Sequence, residues 1–366
     1  MTWVVPDAVF DGQSLRQGLA VQIADGRITD VGTAPDDATP LSGTIAPGFV
    51  DLQVNGGGGV LFNTTPTPDG LRQIADAHHR LGTTAILPTV ITDHPDVLDR
   101  AADAVINAQN DAILGLHIEG PHIALARRGT HASEFIRPLD QRTLSTLQRL
   151  RAKDVCVMIT VAPEAATPDQ IARLVAMGVH VSLGHTDATG AQINASIAAG
   201  ARFGTHLFNA MSQMAGRETG AVGALINSDC YVGVICDGHH VADDMIALAL
   251  RARPAPDLMV LVSDAMATVG GPDTFDLYGQ TIALKNGKLV NAEGNLAGAH
   301  VTQAMGVKRL VEHVGVPLVT ALRMAITTPA TSIGRPDLTQ LIGQSSDAVI
   351  RLDGDLNVAP LASLLR

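Results

Sequence analysis

Apolar and polar positions along the middle of the chain follow a repeating rhythm. Eight short runs are nearly continuous in hydrophobicity: IAPGFVDLQVN (45–55), TTAILPTVIT (83–92), ILGLHIEGPHI (113–123), VCVMITVAP (155–163), HVSLGHT (180–186), FGTHLFNA (203–210), YVGVICDG (231–238) and LMVLVSDAM (258–266). Strands that are greasy on both sides belong in a parallel sheet covered on both faces. Most of the intervals carry apolar residues at helical spacing, as in PDGLRQIADAHHRLG (68–82) and DQRTLSTLQRLRAK (140–153). Eight such units predict an α/β fold, a (β/α)8 TIM-like barrel. A doubly wound open sheet would give a similar count.

Polar residues inside these runs separate the two folds. Glu119, His185, His206, His240 and Asp264 fall at or just past the C-terminal ends of different strands. A barrel builds its active site on that rim from several strand ends, whereas an open sheet gathers it at one switch point. The barrel is expected.

The chain ends carry a different pattern. VFDGQ and IADGRITDVG place Asp11-Gly12 and Asp25-Gly26 between short β-branched runs, and AVIRLDGDLNVAPL repeats the device at Asp353-Gly354. These are hairpin turns. A lone hairpin is marginal in water, so the ends are expected to pair. The predicted organisation is a small β-sandwich domain from residues 1–46 plus 335–366, flanking a barrel of residues 47–334.

One strand poses a physical difficulty. LGLHIEGPHI (114–123) carries His117, Glu119 and His122 where an interior strand should be apolar. Burying an ionised carboxylate is costly unless something compensates it. Among the 13 histidines, His185 in SLGHT and His206 in FGTHLFN each follow a short apolar strand and a glycine. With Glu119 they make two imidazoles and a carboxylate from the ends of strands three, five and six. That donor set suits a catalytic divalent metal with coordination left open, and a cation would offset the buried charge. The separations match no short zinc-binding pattern, and three unrelated hydrogen-bonded groups are the alternative.

Asp264, ending strand eight, is placed to take a proton from an attacking water and return it to a leaving group. The alternative is a helix N-cap. His117 either lines the barrel interior or is a hydrogen-bonded core histidine, the simpler assignment. His78, His79, His94 and His313 are expected to be solvated or capping, and His180 and His300 are given no role.

Composition narrows the classes. Hydrophobic residues make up 46% against 17% charged, with 36 glycines among 366 residues, which excludes disorder and fits a compact, loop-rich core. A formal charge of −11 argues against nucleic-acid binding. MTWVVPDAVFDGQ lacks a signal peptide's basic start and apolar stretch, and no run of about 18 apolar residues indicates a membrane span. Cys156, Cys230 and Cys236 show no CxxC spacing and read as reduced thiols in a cytoplasmic protein.

EGPHIALARRGTH (119–131), SLGHTDAT (182–189), THLFNAMSQM (205–214), GRETG (216–220), DGHHV (237–241) and LVSDAM (261–266) occur in this order. Together with PGFVDLQVNGGGG near the start, they resemble the N-acetylglucosamine-6-phosphate deacetylases of the amidohydrolase superfamily over essentially the whole chain. The resemblance implies that Glu119, His185 and His206 hold one divalent metal per subunit, commonly zinc. It implies that Asp264 is general base and then acid. His131 would bind the acetyl carbonyl and stabilise the developing oxyanion. Asn209, Ala210, Arg217 and His240 would bind the sugar phosphate, and the loop Leu296, Ala297, Gly298 and Ala299 would touch it mainly through backbone. It also implies a homodimer in which a partner subunit helps complete the phosphate pocket, with neither nucleic acid nor membrane as partner.

Many amidohydrolases carry His-x-His at the end of strand one and bind two metals. Gln53 and Asn55 stand there instead, and neutral amides are poor transition-metal ligands, so a single metal is expected. Gly56–Gly59 lacks the Lys-Ser/Thr of a P-loop and is expected to form a tight turn. The expected reaction is removal of acetate from N-acetylglucosamine 6-phosphate in amino-sugar catabolism. The 4-epimer, N-acetylgalactosamine 6-phosphate, is the alternative substrate. A non-catalytic sensor of amino-sugar phosphates is a further alternative.

Overall fold

A computed structural model describes residues 1–364. Eight parallel strands follow the eight apolar runs: Phe49–Val54, Thr83–Ile91, Gly115–Glu119, Cys156–Val161, His180–Leu183, Phe203–Gly204, Tyr231–Val234 and Met259–Leu261. Each pairs with the next in sequence order. Past the end of the eighth strand, Asp264 N donates to Gln53 O at 3.0 Å and Asn55 N to Ala265 O at 2.9 Å, closing the ring onto the first strand. The protein is a (β/α)8 barrel.

Helices between the strands start where the sequence supplies caps. Thr67 accepts from Gly70 N ahead of helix Pro68–Arg80, and Asp140 from Thr143 N ahead of Gln141–Arg151. Thr167 and Thr189 each close a reciprocal box with a glutamine three residues on, satisfying two backbone donors that a helix start leaves open. The apolar faces of these helices, including Leu71, Ile74, Leu147 and Leu174, are buried against the outside of the sheet. Inside the barrel, Leu52, His117, Met158, Phe203 and Val260 leave a void of about 20 Å³. The interior is therefore a packed floor beneath the strand ends.

The chain ends meet as expected. Strand Thr39–Pro47 lies parallel to Thr2–Phe10 and antiparallel to Val349–Leu352. The Asp25-Gly26 turn has both residues at positive φ, 49° and 72°, the left-handed pair that a two-residue hairpin needs. One mixed seven-stranded sheet joins N-terminal and C-terminal segments. A three-stranded sheet of Thr274–Leu277, Gln280–Lys285 and Lys288–Val290 follows the eighth barrel strand; the apolar pattern of the sequence had not distinguished it. No helix among the described residues is long and apolar enough to cross a membrane.

Three histidines outside the rim can now be placed. His78 is buried and bonded to Gly56 O at 2.9 Å, so it braces the Gly56–Gly59 turn instead of facing solvent. His94 caps the helix Pro95–Ile106. His117 is a core histidine, held between Thr160 Oγ1 at 2.8 Å and Thr89 Oγ1 at 3.2 Å.

Beneath the rim, Asp51 is fully buried. Its Oδ1 accepts from Gln53 N and Ser263 N, each at 3.2 Å, while Oδ2 and the nearby Gln303 Oε1 have no partner. Burial pushes its carboxyl up from 3.8 to about 6. A raised folded-state pKa contributes stability below the unfolded value, and that contribution is lost as pH rises through about 6. Asp51→Asn keeps an acceptor for the two amides and offers a donor to Gln303. It is expected to stabilise the fold by about 2–3 kcal/mol at pH 8, with the gain gone below about pH 4. Denaturant midpoints at the two pH values check this. An equal effect at both would show that folding does not raise the Asp51 pKa.

Candidate active site

Glu119 is the last residue of the third strand and 2% exposed. His185 and His206 follow strands five and six, and both have left-handed backbones with φ of 48° and 34°. Phe208, Ala210 and Asp264 are left-handed too, at 77°, 50° and 52°. A non-glycine residue pays roughly 1–2 kcal/mol for this conformation, and such strain concentrates at functional sites. Here it bends each chain segment out of the strand direction over the barrel mouth.

The bends bring three groups together. Glu119 Oε1 is 3.0 Å from His185 Nε2 and 2.9 Å from His206 Nε2, and the two Nε2 atoms are 3.1 Å apart. His185 Nδ1 lies 2.9 Å from the Arg127 carbonyl. It must donate there, which leaves the neutral ring's Nε2 as a bare lone pair. That lone pair faces a carboxylate oxygen and a second imidazole nitrogen. Three electron-pair donors converging in a buried place fit a cation between them. Burial would raise the Glu119 carboxyl, but the His185 and His206 rings outweigh it and hold it well below the usual carboxylate range. One donor atom each from Glu119, His131 and His185 also lie within 4.8 Å of one another. His206 is the better third donor, because its Nε2 lies 2.9 Å from Glu119 Oε1 and 3.1 Å from His185 Nε2, whereas His131 Nδ1 is engaged by Thr92 Oγ1.

Asp264 stands beside this cluster, 8% exposed. Its Oδ1 accepts from Asn55 Nδ2 at 2.7 Å and Gln53 Nε2 at 3.0 Å, and the same Gln53 amide donates to Glu119 Oε2 at 3.1 Å. Gln53 and Asn55 thus serve as hydrogen-bond donors between two acids. Burial, then the Glu119 charge, push the Asp264 carboxyl up to about 6. Asp264 caps no helix.

These groups form one wall of a cavity of about 440 Å³. His131 lines it, with Nδ1 2.7 Å from Thr92 Oγ1. Burial, then His185, push its imidazole down to about 3, so the ring is neutral at pH 7. Asn209, Ala210, His240, Leu296 and Gly298 also line the cavity. His240 Nδ1 is fixed by Asp237 Oδ2 at 2.6 Å. Burial would raise the Asp237 carboxyl, but the His240 ring and neighbouring amides bring it to about 2.

Three expected contact residues are not on the wall. Arg217 is exposed on a turn where Ala215 and Glu218 pair. Ala297 and Ala299 are buried, and Ala299 N donates to Asp264 O at 3.0 Å, so its backbone braces the acid from behind. Conversely, Asn55, Arg127 and the walls Ile91 and Met266 line the cavity without having been singled out as binding residues. ARRGTH had drawn notice, but nothing in it distinguishes Arg127 from Arg128.

Known proteins resemble this chain in sequence and fold. A deacetylase for N-acetylgalactosamine 6-phosphate from Shewanella sp. (strain ANA-3) is 40% identical over 358 residues, covering 94% of this chain and 90% of its own. A deacetylase for N-acetylglucosamine 6-phosphate from Haemophilus influenzae is 36% identical over 300 residues, covering 80% and 78%. The N-acetylglucosamine-6-phosphate deacetylase structure from Pasteurella multocida superimposes with a TM-score of 0.90 at 33% identity, covering 98% of this chain and 96% of that one. The signature described as "Amidohydrolase family" matches residues 44–350. With the barrel, the two chain ends joined in one sheet and the buried acid–imidazole cluster in place, the chain belongs to the amidohydrolase family.

Proposed function

We propose that the protein hydrolyses the acetamide of N-acetylglucosamine 6-phosphate, releasing acetate and glucosamine 6-phosphate. The convergence of Glu119, His185 and His206 on one point, with Asp264 alongside, carries this assignment. These three residues would hold a divalent ion, and two imidazoles with one carboxylate favour zinc. Such an ion polarises a carbonyl and acidifies a water.

The remaining steps belong to the chain's own side chains. Asn55 and Gln53 occupy Asp264 Oδ1, leaving Oδ2 to take the proton of the attacking water. With a carboxyl placed at about 6, Asp264 is ionised at neutral pH and still basic enough for this task. The same carboxyl then protonates the departing nitrogen. Thr92 donates its hydroxyl hydrogen to His131 Nδ1, which keeps Nε2–H aimed at the carbonyl oxygen as negative charge develops there. Asn209, Ala210 and His240 take the phosphate end, and Leu296 with Gly298 close the sugar's flank. A zinc ion and a homodimeric assembly are part of this proposal.

A second substrate has its own support: the Shewanella relative at 40% identity is named for the galactosamine epimer. The test is acetate release by metal-replete protein from both 6-phosphates side by side. Faster turnover of the glucosamine compound is expected. Preference for the other epimer would move the assignment to the second substrate, and no acetate from either would end the proposal.

A further inference from the structure

We propose that Tyr278 is a positioning residue for the hydrolytic step, its phenol setting Thr92 and, through Thr92, the imidazole of His131. The inference rests on the deacetylase reading, in which His131 faces the acetyl carbonyl. Tyr278 stands at the tip of the hairpin between strands Thr274–Leu277 and Gln280–Lys285. Its phenol donates to the Thr92 carbonyl, one residue past the end of the second barrel strand. The Thr92 hydroxyl in turn reaches His131 Nδ1 at 2.7 Å.

Three features hold this relay in place. Tyr278 and Gly279 are both left-handed, with φ of 51° and 74°, the pair that a two-residue hairpin needs. Asn, Asp and Gly take the first of these positions most readily, and a bulky aromatic residue there is conformationally costly. Behind the tip, Phe275, Leu277, Ile282 and Leu289 share one buried cluster with Ile91 and Met266, two walls of the cavity. The inner face of the small sheet is thus the back of the active-site wall. Gly120, the residue after Glu119, completes the fit. A Cβ there would lie 2.2 Å from Thr92 Oγ1 and 3.6 Å from His131 Nδ1, so only glycine leaves room for the pair.

Asn63 grips the last residue of the second strand from both sides. Its Nδ2 donates to Ile91 O and its Oδ1 accepts from Ile91 N, both at 3.0 Å. The next peptide, that of Thr92, is the one the phenol secures. Burial, then the Asp93 charge, push the phenol above its ordinary range, so it stays protonated and donates; the Ala132 amide, adjoining His131, opposes this. Tyr278 therefore meets both segments that carry the Thr92–His131 pair. A Thr92 peptide free to rotate carries its hydroxyl away from Nδ1, and a neutral imidazole without that partner holds its proton on either nitrogen. Only the Nε2–H form presents a hydrogen to the developing oxyanion.

The test uses metal-loaded full-length protein and whichever 6-phosphate epimer the wild type deacetylates faster. Tyr278→Phe keeps the ring and removes only the hydroxyl; it is expected to lower kcat about tenfold with KM within about twofold. Thr92→Val is expected to cost at least as much, and Thr92→Ser to stay within about twofold of wild type. Both residues act through one imidazole. Tyr278→Phe added to Thr92→Val, or to His131→Asn, is therefore expected to change kcat by less than about twofold further. Calorimetric affinity for the deacetylated amine 6-phosphate, which has no acyl carbonyl, is expected to match wild type in Tyr278→Phe. A merely structural hydroxyl would lower kcat by the same factor in the His131→Asn background, and that result overturns the assignment. So does wild-type kcat in Tyr278→Phe, or a loss that falls on product affinity. A large effect of Thr92→Val with none of Tyr278→Phe removes Tyr278 alone and leaves the deacetylase reading standing. A wild type that releases no acetate overturns that reading and this inference together.

Discussion

Asp264→Asn is expected to lower kcat by on the order of a thousandfold or more while the protein keeps about one metal ion per chain. The substitution is nearly isosteric, and the Asn side-chain oxygen can still accept from Asn55 Nδ2 and Gln53 Nε2. What it removes is the atom that takes and returns the proton. Glu119, His185 and His206 are untouched, so elemental analysis should match the wild type. Loss of metal in this variant would make Asp264 a ligand, and a fall in kcat of less than about tenfold would take it out of the chemistry. The stability change is expected to be small or favourable, because burial and the Glu119 charge already penalise the ionised acid.

Glu119→Gln is expected to abolish tight metal binding and, with it, acetate release. Two imidazoles alone are a poor site for a divalent ion, and the carboxylate supplies the charge that makes the cluster selective for a cation. The buried lone pairs of His185 and His206 would then face a neutral amide. Thermal unfolding gives a readout independent of turnover. Saturating zinc should raise the wild-type Tm by several degrees, since an ion at about 100 times its Kd adds roughly 2.7 kcal/mol to the folded state. The Glu119→Gln variant should show almost no such rise. An equal Tm response in both proteins, or undiminished metal content in the variant, would place the ion elsewhere.

Gln53 connects these two predictions. One amide nitrogen donates to Glu119 Oε2 and to Asp264 Oδ1, so it screens two acids that would otherwise repel each other. The His185 and His206 rings hold Glu119 ionised, and the His206 and His240 rings with the Asn55 amide oppose the rise at Asp264. The amides at strand one, where the His-x-His of a two-metal site would stand, gain a physical meaning. Through their amide nitrogens these positions orient the two acids.

The eight barrel strands, the capped helices and the terminal hairpins were legible in the sequence because their causes are local. A strand buried on both faces must be apolar along its length, a two-residue hairpin needs Asp-Gly, and a helix start needs Thr or Asp. Glu119 declared itself for the same reason: a carboxylate in a greasy strand requires a partner. Composition and spacing could go no further than types of residue. The order of the motifs added expected roles, and the family match over residues 44–350 supports the family alone.

Tertiary structure alone decided which of those residues meet. His185 and His206 reach Glu119 through left-handed backbones, which no hydrophobic pattern encodes, across separations of 66 and 87 residues. The choice of Arg127 over Arg128 for the cavity depends on Asp187 and Glu293, partners 60 and 165 residues away. Arg217 stays outside and Ala299 turns its backbone toward Asp264 because turn geometry and strand closure set their directions. Sequence by itself determined the barrel and the need for a cation. Only long-range packing could determine where Glu119, His185, His206 and Asp264 meet, because each position is fixed by groups far along the chain.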